Sequence, residues 1–125
     1  MILDTNGLSA MANGDPRLEP VLAGGRQLAL PVIVLGEYRS GIGQSRHRVR
    51  YERWLLELLP NCRVLRIDET TAGEYAILRG ELKLAGRPIP ANDVWIAALA
   101  RQHSLPVISR DKHFDFVPRV KRLGW

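Results

Sequence analysis

"ANDVWIAALARQH", residues 91–103, is the stretch on which the reading of this chain turns. Its alanines and aliphatic side chains suit a buried helix, yet it opens on Asn92 and Asp93, just behind the two prolines of "RPIPAND". A carboxylate there has two uses. In a first helical turn it meets the partial positive charge of the helix dipole, worth about 0.3–1 kcal/mol. Alternatively it is a ligand for a metal ion. One residue does not separate the two, so the question becomes whether other carboxylates reach the same place.

Outward from this stretch, apolar runs alternate with helical spacings. "MILDT" reads as a short buried strand, and "NGLSAMANG" after it as a weak helical or turn segment ending at residues 14–16. "QLALPVIV" is a second apolar run, from which "VLGEYRSGIG" turns into a helix closed by Gly41 and Gly43. In "RVRYERWLLELLP", Tyr51, Trp54, Leu55 and Leu58 fall at helical spacing and Pro60 stops the run. "CRVLRID" predicts a third strand, nearer an edge because Arg63 and Arg66 make it less apolar. A helix is expected from about Glu69 to Ala85, with Ala72, Tyr75, Ala76, Leu78 and Leu82 on or near one face and Gly86 as its C-terminal glycine. After the opening helix come "LPVIS", a fourth strand, and "RVKRL", a short fifth. Strands that alternate with helices predict an α/β fold whose mostly parallel, five-stranded sheet is covered on both faces.

That topology gives the acidic residues a common address. Ligands of open α/β sheets bind beyond the carboxyl ends of the strands, near the point where strand order reverses. Asp4 ends the first strand, Glu37 follows the second by one turn, and Asp111 follows the fourth by two residues. A helix running back antiparallel starts at the same rim, which brings in Asp93. The four converge across gaps of 33, 56 and 18 residues.

Composition sets the frame for their chemistry. The 125 residues, 46% hydrophobic, suffice for one core and not for two, so a single domain spanning 1–125 is expected. Neither a repeat nor a linker divides them. Cys62 is the one cysteine, which excludes an internal disulfide and a Cys-rich zinc site and fits a reducing cytosol. "MILDTN" lacks the features of a signal peptide and no apolar stretch reaches the ~20 residues that cross a bilayer, so a soluble cytoplasmic protein with no membrane partner is expected. The net charge is +5, and fifteen of the eighteen cations are arginine, the side chain that grips phosphate bidentately. Arg39, Arg46, Arg48, Arg50 and Arg53 lie close together with His47, and Arg119, Lys121 and Arg122 form a second group. A nucleic acid is one reading of this balance; an ordinary solvated surface is the other.

Taken singly, each acid also has a plain structural reading. Asp4 suits an Asx turn, Glu37 and Asp93 suit first-turn anions, and Asp111 suits a turn in "SRDKHF". Jointly the balance changes, because anions sharing a rim repel one another unless a proton or cation compensates. A hard divalent cation such as Mg²⁺ removes the repulsion, and carboxylates without His or Cys are its ligand set. Such an ion stabilises charge on a phosphoryl oxygen and generates hydroxide from a bound water near neutral pH. Arginines around the acids then hold a phosphate backbone.

With these residues in place, "LDTN" at 3–6, "EYRSG" at 37–41, "NDVWIAALA" at 92–100 and "VISRDKHFD" at 107–115 resemble, in order and spacing, the PIN domain, and within it the VapC-type ribonuclease toxins. The likeness covers nearly the whole chain. It implies a five-stranded parallel sheet between helices, Mg²⁺- or Mn²⁺-dependent cleavage of RNA, a homodimer, and a cognate VapB-type antitoxin that blocks the groove. By position Asp4, Glu37 and Asp93 match the acidic ligands and Asp111 the more variable fourth acid. Asn6 and Ser109 match polar neighbours of the site. Val34 departs from a frequent threonine and Arg110 from a frequent asparagine. On this reading a water attacks phosphorus in line and the 3′ oxygen leaves, with Arg39, Arg46, Arg48 and Arg50 as backbone contacts.

The remaining residues are read plainly. His47, His103 and His113 are scattered, and His113, although near Asp111, is read as packed or solvated. Cys62 is read as an inert buried thiol, Trp54 and Trp95 as core or interface, Asp115 as surface, and Trp125 carries no assignment. A binding module that holds nucleic acid without cutting it is the rival reading, and it gives the four acids no purpose. A receiver-like phospho-acceptor fits worse, since "ILDTN" carries one acid and not a pair, and "LPVIS" ends in serine where a lysine is wanted.

Overall fold

The computed structural model describes residues Met1–Trp125. Ile2–Leu3 forms β1, and both residues are completely buried. Neighbouring strand residues point to opposite faces, so a strand buried at two consecutive positions is covered on both sides. The same holds for Ala29 and Leu30 in β2 (Leu28–Pro31) and for both residues of β4 (Val107–Ile108). With β3 (Cys62–Leu65) and β5 (Arg122–Leu123) they form one five-stranded sheet of order β3-β2-β1-β4-β5, parallel throughout. Ile2 pairs with Ala29 on one side and Val107 on the other, so the first strand is the central one. Arg63 and Val64 are exposed, as befits the edge position expected of the third strand.

Six α-helices connect and cover the strands: α1 (Thr5–Ala12), α2 (Glu19–Leu22), α3 (Val32–Ile42), α4 (Arg48–Leu58), α5 (Glu69–Leu84) and α6 (Ala91–His103). Local chemistry sets their ends. Asp4 caps α1, Pro31 and Pro90 stand immediately before α3 and α6, and Asp68 with Thr71 forms a capping box at the start of α5. Gly86 closes α5 at φ +65°, a left-handed conformation that glycine takes without a steric penalty. Gly7 serves a close approach: a Cβ there would lie 3.1 Å from the Ile108 carbonyl oxygen, tighter than ordinary contact, so a larger residue would press α1 away from β4. Twenty-six buried apolar residues form one core.

One expectation needs correction. On α5 the buried line is Thr71, Leu78 and Leu82, with Thr71 held by the capping box, whereas Ala72 and Ala76 are exposed. After residue 15, a 3₁₀ turn at Pro16–Leu18 runs into α2. No helix is long and apolar enough to cross a membrane.

Candidate metal centre

The strand order reverses between β1 and β4, and the carboxyl ends of these two neighbours carry Asp4 and the Ser109–Asp111 segment. Asp4 is only 4% exposed. One of its oxygens accepts from the Thr5 backbone N–H at 2.7 Å. The other accepts from the Ser109 hydroxyl at 2.7 Å and from the Asn6 amide at 3.3 Å. Ser109, fully buried, accepts in turn from the Asp111 backbone N–H at 2.9 Å, and the Asn6 carbonyl accepts from the Arg110 N–H at 3.1 Å. Asn6 and Ser109 therefore tie the two strand ends together around one carboxylate.

Glu37 is held differently. Oε2 accepts from the Thr5 hydroxyl at 2.8 Å and Oε1 from the Asn92 amide at 2.7 Å. Val34, the position where a threonine was looked for, is fully buried in the core. Thr5 and Asn92 supply the polar support from other elements, and neither is assigned a role in the site from the sequence. Both stand beside an acid within the quoted motifs, which is the signal that was there to be used.

Asp93 answers the question its position raised. An anion present only to meet a helix dipole would be held low; the Asp93 carboxyl is instead pushed up to about 6. Burial is the main cause, the Asp4 charge adds to it, and His113 pulls the other way. Burial likewise raises Asp4 against the Ser109 and Thr5 hydrogen bonds, and the Glu37 and Asp111 charges add to the rise. Asp4, Glu37, Asp93 and Asp111 line one cleft of about 570 Å³. Carboxyl groups raised by burial and by one another form a donor set that a hard dication fits. A separate cavity of about 500 Å³ is lined by Arg26, Arg101, Arg119 and Lys121 at the amino ends of the strands, away from these acids.

Residues 1–120 match the family model described as "PIN domain". This chain belongs to the PIN domain family. It is 35% identical over 115 residues to "Ribonuclease VapC5" of Mycobacterium tuberculosis, covering 90% of this chain and 84% of that one. It is 36% identical over 131 residues to "Toxin FitB" of Neisseria gonorrhoeae, covering 96% and 94%. Among solved structures it resembles VapBC-5 of Mycobacterium tuberculosis, described as a member of the VapBC family of toxin-antitoxin systems. The TM-score is 0.77 at 30% identity, covering 99% of this chain and 97% of that one.

Within this PIN domain His113 is neither packed nor merely solvated. Its Nδ1 lies 3.0 Å from Asp111 Oδ1 and 3.4 Å from Asp93 Oδ2. One ligand atom from each of these three residues falls within 4.8 Å of the others, a group to which Asp4 and Glu37 do not belong. Arg110 is the one cation on the cleft wall. Its guanidinium pairs with Asp15 at 3.0 Å and stands 5.0 Å over the Trp125 ring. Arg39, Arg46, Arg48 and Arg50 are outside the cleft. Arg39 is 3.7 Å from Glu52, Arg46 contacts His47, and Arg50 lies over the Tyr51 ring. Tyr51 donates to Asn13 and lines a groove that shares Thr5, Ser9, Asn13 and Glu37 with the cleft, which brings Arg50, over that ring, to an extension of it. Asp115 faces outward, paired with Arg122.

Proposed function

We propose that this protein is a metal-dependent endoribonuclease of the VapC toxin type, restrained by a cognate VapB-type antitoxin and acting in the cytoplasm as a homodimer. The observation that carries the reading is the meeting of Asp4, Glu37, Asp93 and Asp111, from four distant segments, in one cleft where burial raises two of their carboxyl groups. Likeness to a protein named as a ribonuclease, to one named as a toxin, and to a member of a toxin-antitoxin family supports the substrate class and the partner.

The four carboxylates would hold Mg²⁺ or Mn²⁺. When bound, such an ion supplies neutralisation of phosphoryl charge and a water of lowered pKa. The chain's own residues do the rest. Ser109 and Asn6 donate to Asp4, leaving it one defined orientation, and Thr5 and Asn92 do the same for both oxygens of Glu37. Arg110 offers its guanidinium to a phosphate entering the cleft, while Arg39, Arg46, Arg48 and Arg50 meet the flanking backbone. The bond broken is the one between phosphorus and the 3′ oxygen, leaving a 5′-phosphate.

The test is incubation of the purified protein with structured RNAs, with and without Mg²⁺ or Mn²⁺, beside Asp4→Asn and Asp93→Asn. Cleavage by the native protein alone, and only with metal, is expected. Cleavage that survives both substitutions or persists in chelator overturns the reading. RNA binding by all forms with no cutting replaces it with the non-cleaving module.

A further inference from the structure

His113 lies outside the set of acids that the family resemblance supplies, yet its Nδ1 stands 3.0 Å from Asp111 Oδ1 and 3.4 Å from Asp93 Oδ2. In an octahedral site with ligands about 2.0–2.1 Å from the ion, adjacent donors sit about 3 Å apart and opposite donors about 4.2 Å apart. In a tetrahedral site of similar bond length every pair is about 3.3 Å apart. The separations of 3.0 and 3.4 Å from His113 Nδ1 to the two carboxylates fall in these ranges. His113 Nδ1 is thus already spaced from both carboxylates as donors around one ion are spaced.

The ring is also fixed in place. Asp111 caps the 3₁₀ turn Lys112–Phe116 and accepts from the His113 backbone N–H at 3.0 Å, so the acid and the imidazole two positions later belong to one hydrogen-bonded turn. Phe114, completely buried, anchors that turn in the core. Asp93 comes from the first turn of α6, which packs on the same 3₁₀ segment.

We infer that His113 is a nitrogen ligand of the cation held by Asp93 and Asp111, and that it makes the centre prefer transition-metal dications over Mg²⁺. This rests on the ribonuclease reading only in that the cleft binds a dication. The chemistry follows from donor type: Mg²⁺ favours all-oxygen coordination, whereas imidazole suits borderline ions that stand higher in the Irving–Williams order. The rival role for His113 is that of a counter-charge, a protonated ring that offsets two carboxylates. The two roles predict opposite effects of removing the ring, since a ligand aids the metal and a counter-charge competes with it.

The experiment titrates Co²⁺ and Mg²⁺ separately into the full chain and into His113→Gln, by calorimetry. The Co²⁺ form is also scanned by proton NMR for a paramagnetically shifted, solvent-exchangeable imidazole N–H. Asp93→Asn serves as the variant that weakens both ions. The expected result is tighter binding of Co²⁺ than Mg²⁺, a loss of about tenfold or more in Co²⁺ affinity in His113→Gln with Mg²⁺ changed less than about twofold, and a shifted resonance that disappears in the variant. Unchanged Co²⁺ affinity, or no such resonance, overturns the assignment while the Mg²⁺ titration and RNA cleavage still report on the ribonuclease reading. Tighter binding of both ions by His113→Gln overturns it in favour of the counter-charge. Failure of both ions to bind the native chain sinks this inference and that reading together.

Discussion

The Asn92 amide donates to Oε1 of Glu37 at 2.7 Å, joining the first turn of α6 to the middle of α3. With the Thr5 hydroxyl on the other oxygen, both Glu37 oxygens have a fixed donor. Removing either donor by Asn92→Ala or Thr5→Val should lower metal-dependent RNA cleavage by about 10–100-fold, the usual effect of losing a group that orients a ligand. The melting temperature should hardly move. An equal loss of stability and activity would mean that the bonds support the fold and not the site.

Ser109 serves three partners at once, donating to Asp4 and accepting from the Asp111 backbone N–H and the Asn6 amide, and it is completely buried. Ser109→Ala removes all three bonds and should destabilise the fold by about 1–3 kcal/mol. Urea unfolding checks this. Dication affinity should fall in parallel, because Asp4 loses its shortest side-chain donor.

The raised carboxyl of Asp93 gives the metal-free protein a particular pH dependence. Its folded value, about 6, lies above the ordinary value of 3.8, so the native state binds more protons than the unfolded state between these values. The associated stability is present below about pH 4 and is lost as pH rises through about 6; Asp4, also raised, acts in the same direction. Melting temperatures in chelator should therefore drop across this window, and Asp93→Asn should flatten the drop. Dication binding should tighten over the same range, since the carboxylates must be deprotonated to ligate.

Phosphate contacts are read through salt. Arg50 lies over the Tyr51 ring beside the groove that extends the cleft, with Arg46 and Arg48 close to it in sequence, and replacing all three by alanine should weaken RNA binding and reduce the salt slope by about 2 if each meets one phosphate of a single strand. Arg110→Gln should reduce it by less than 1 while lowering turnover more than the triple variant does. Equal salt slopes for native and triple variant would show these arginines to be ordinary surface.

How far the sequence reveals this molecule differs from residue to residue. The five strands, the long helices and the four acids were legible because apolar runs, prolines and glycines punctuate the chain at element boundaries. The packed face of α5 was not: alanine is at ease buried or exposed, and the decisive inward residue is Thr71, whose role comes from a cap and from its bond to Gln102. The support of Glu37 was hidden because Val34 is adjacent in sequence while Thr5 and Asn92 are adjacent only in space. A single histidine has no periodicity to betray it, and His113 acquires meaning only when the turn at Lys112–Phe116 carries it to Asp93. α2, four residues long, is too brief to leave a pattern.

The chain opens with the strand that ends up in the middle of the sheet, and the hydroxyl that steadies Asp4 is 105 positions away. During synthesis β1 can find β2 early, but its other neighbour, reached only at Val107, is made much later. A nascent or truncated polypeptide lacking β4 and the Asp111 turn has no assembled centre, however much of it has folded. Under the ribonuclease reading, a cell making this protein is shielded from each new copy until the Asp111 turn has been made, which gives an inhibitor made alongside it time to be present first.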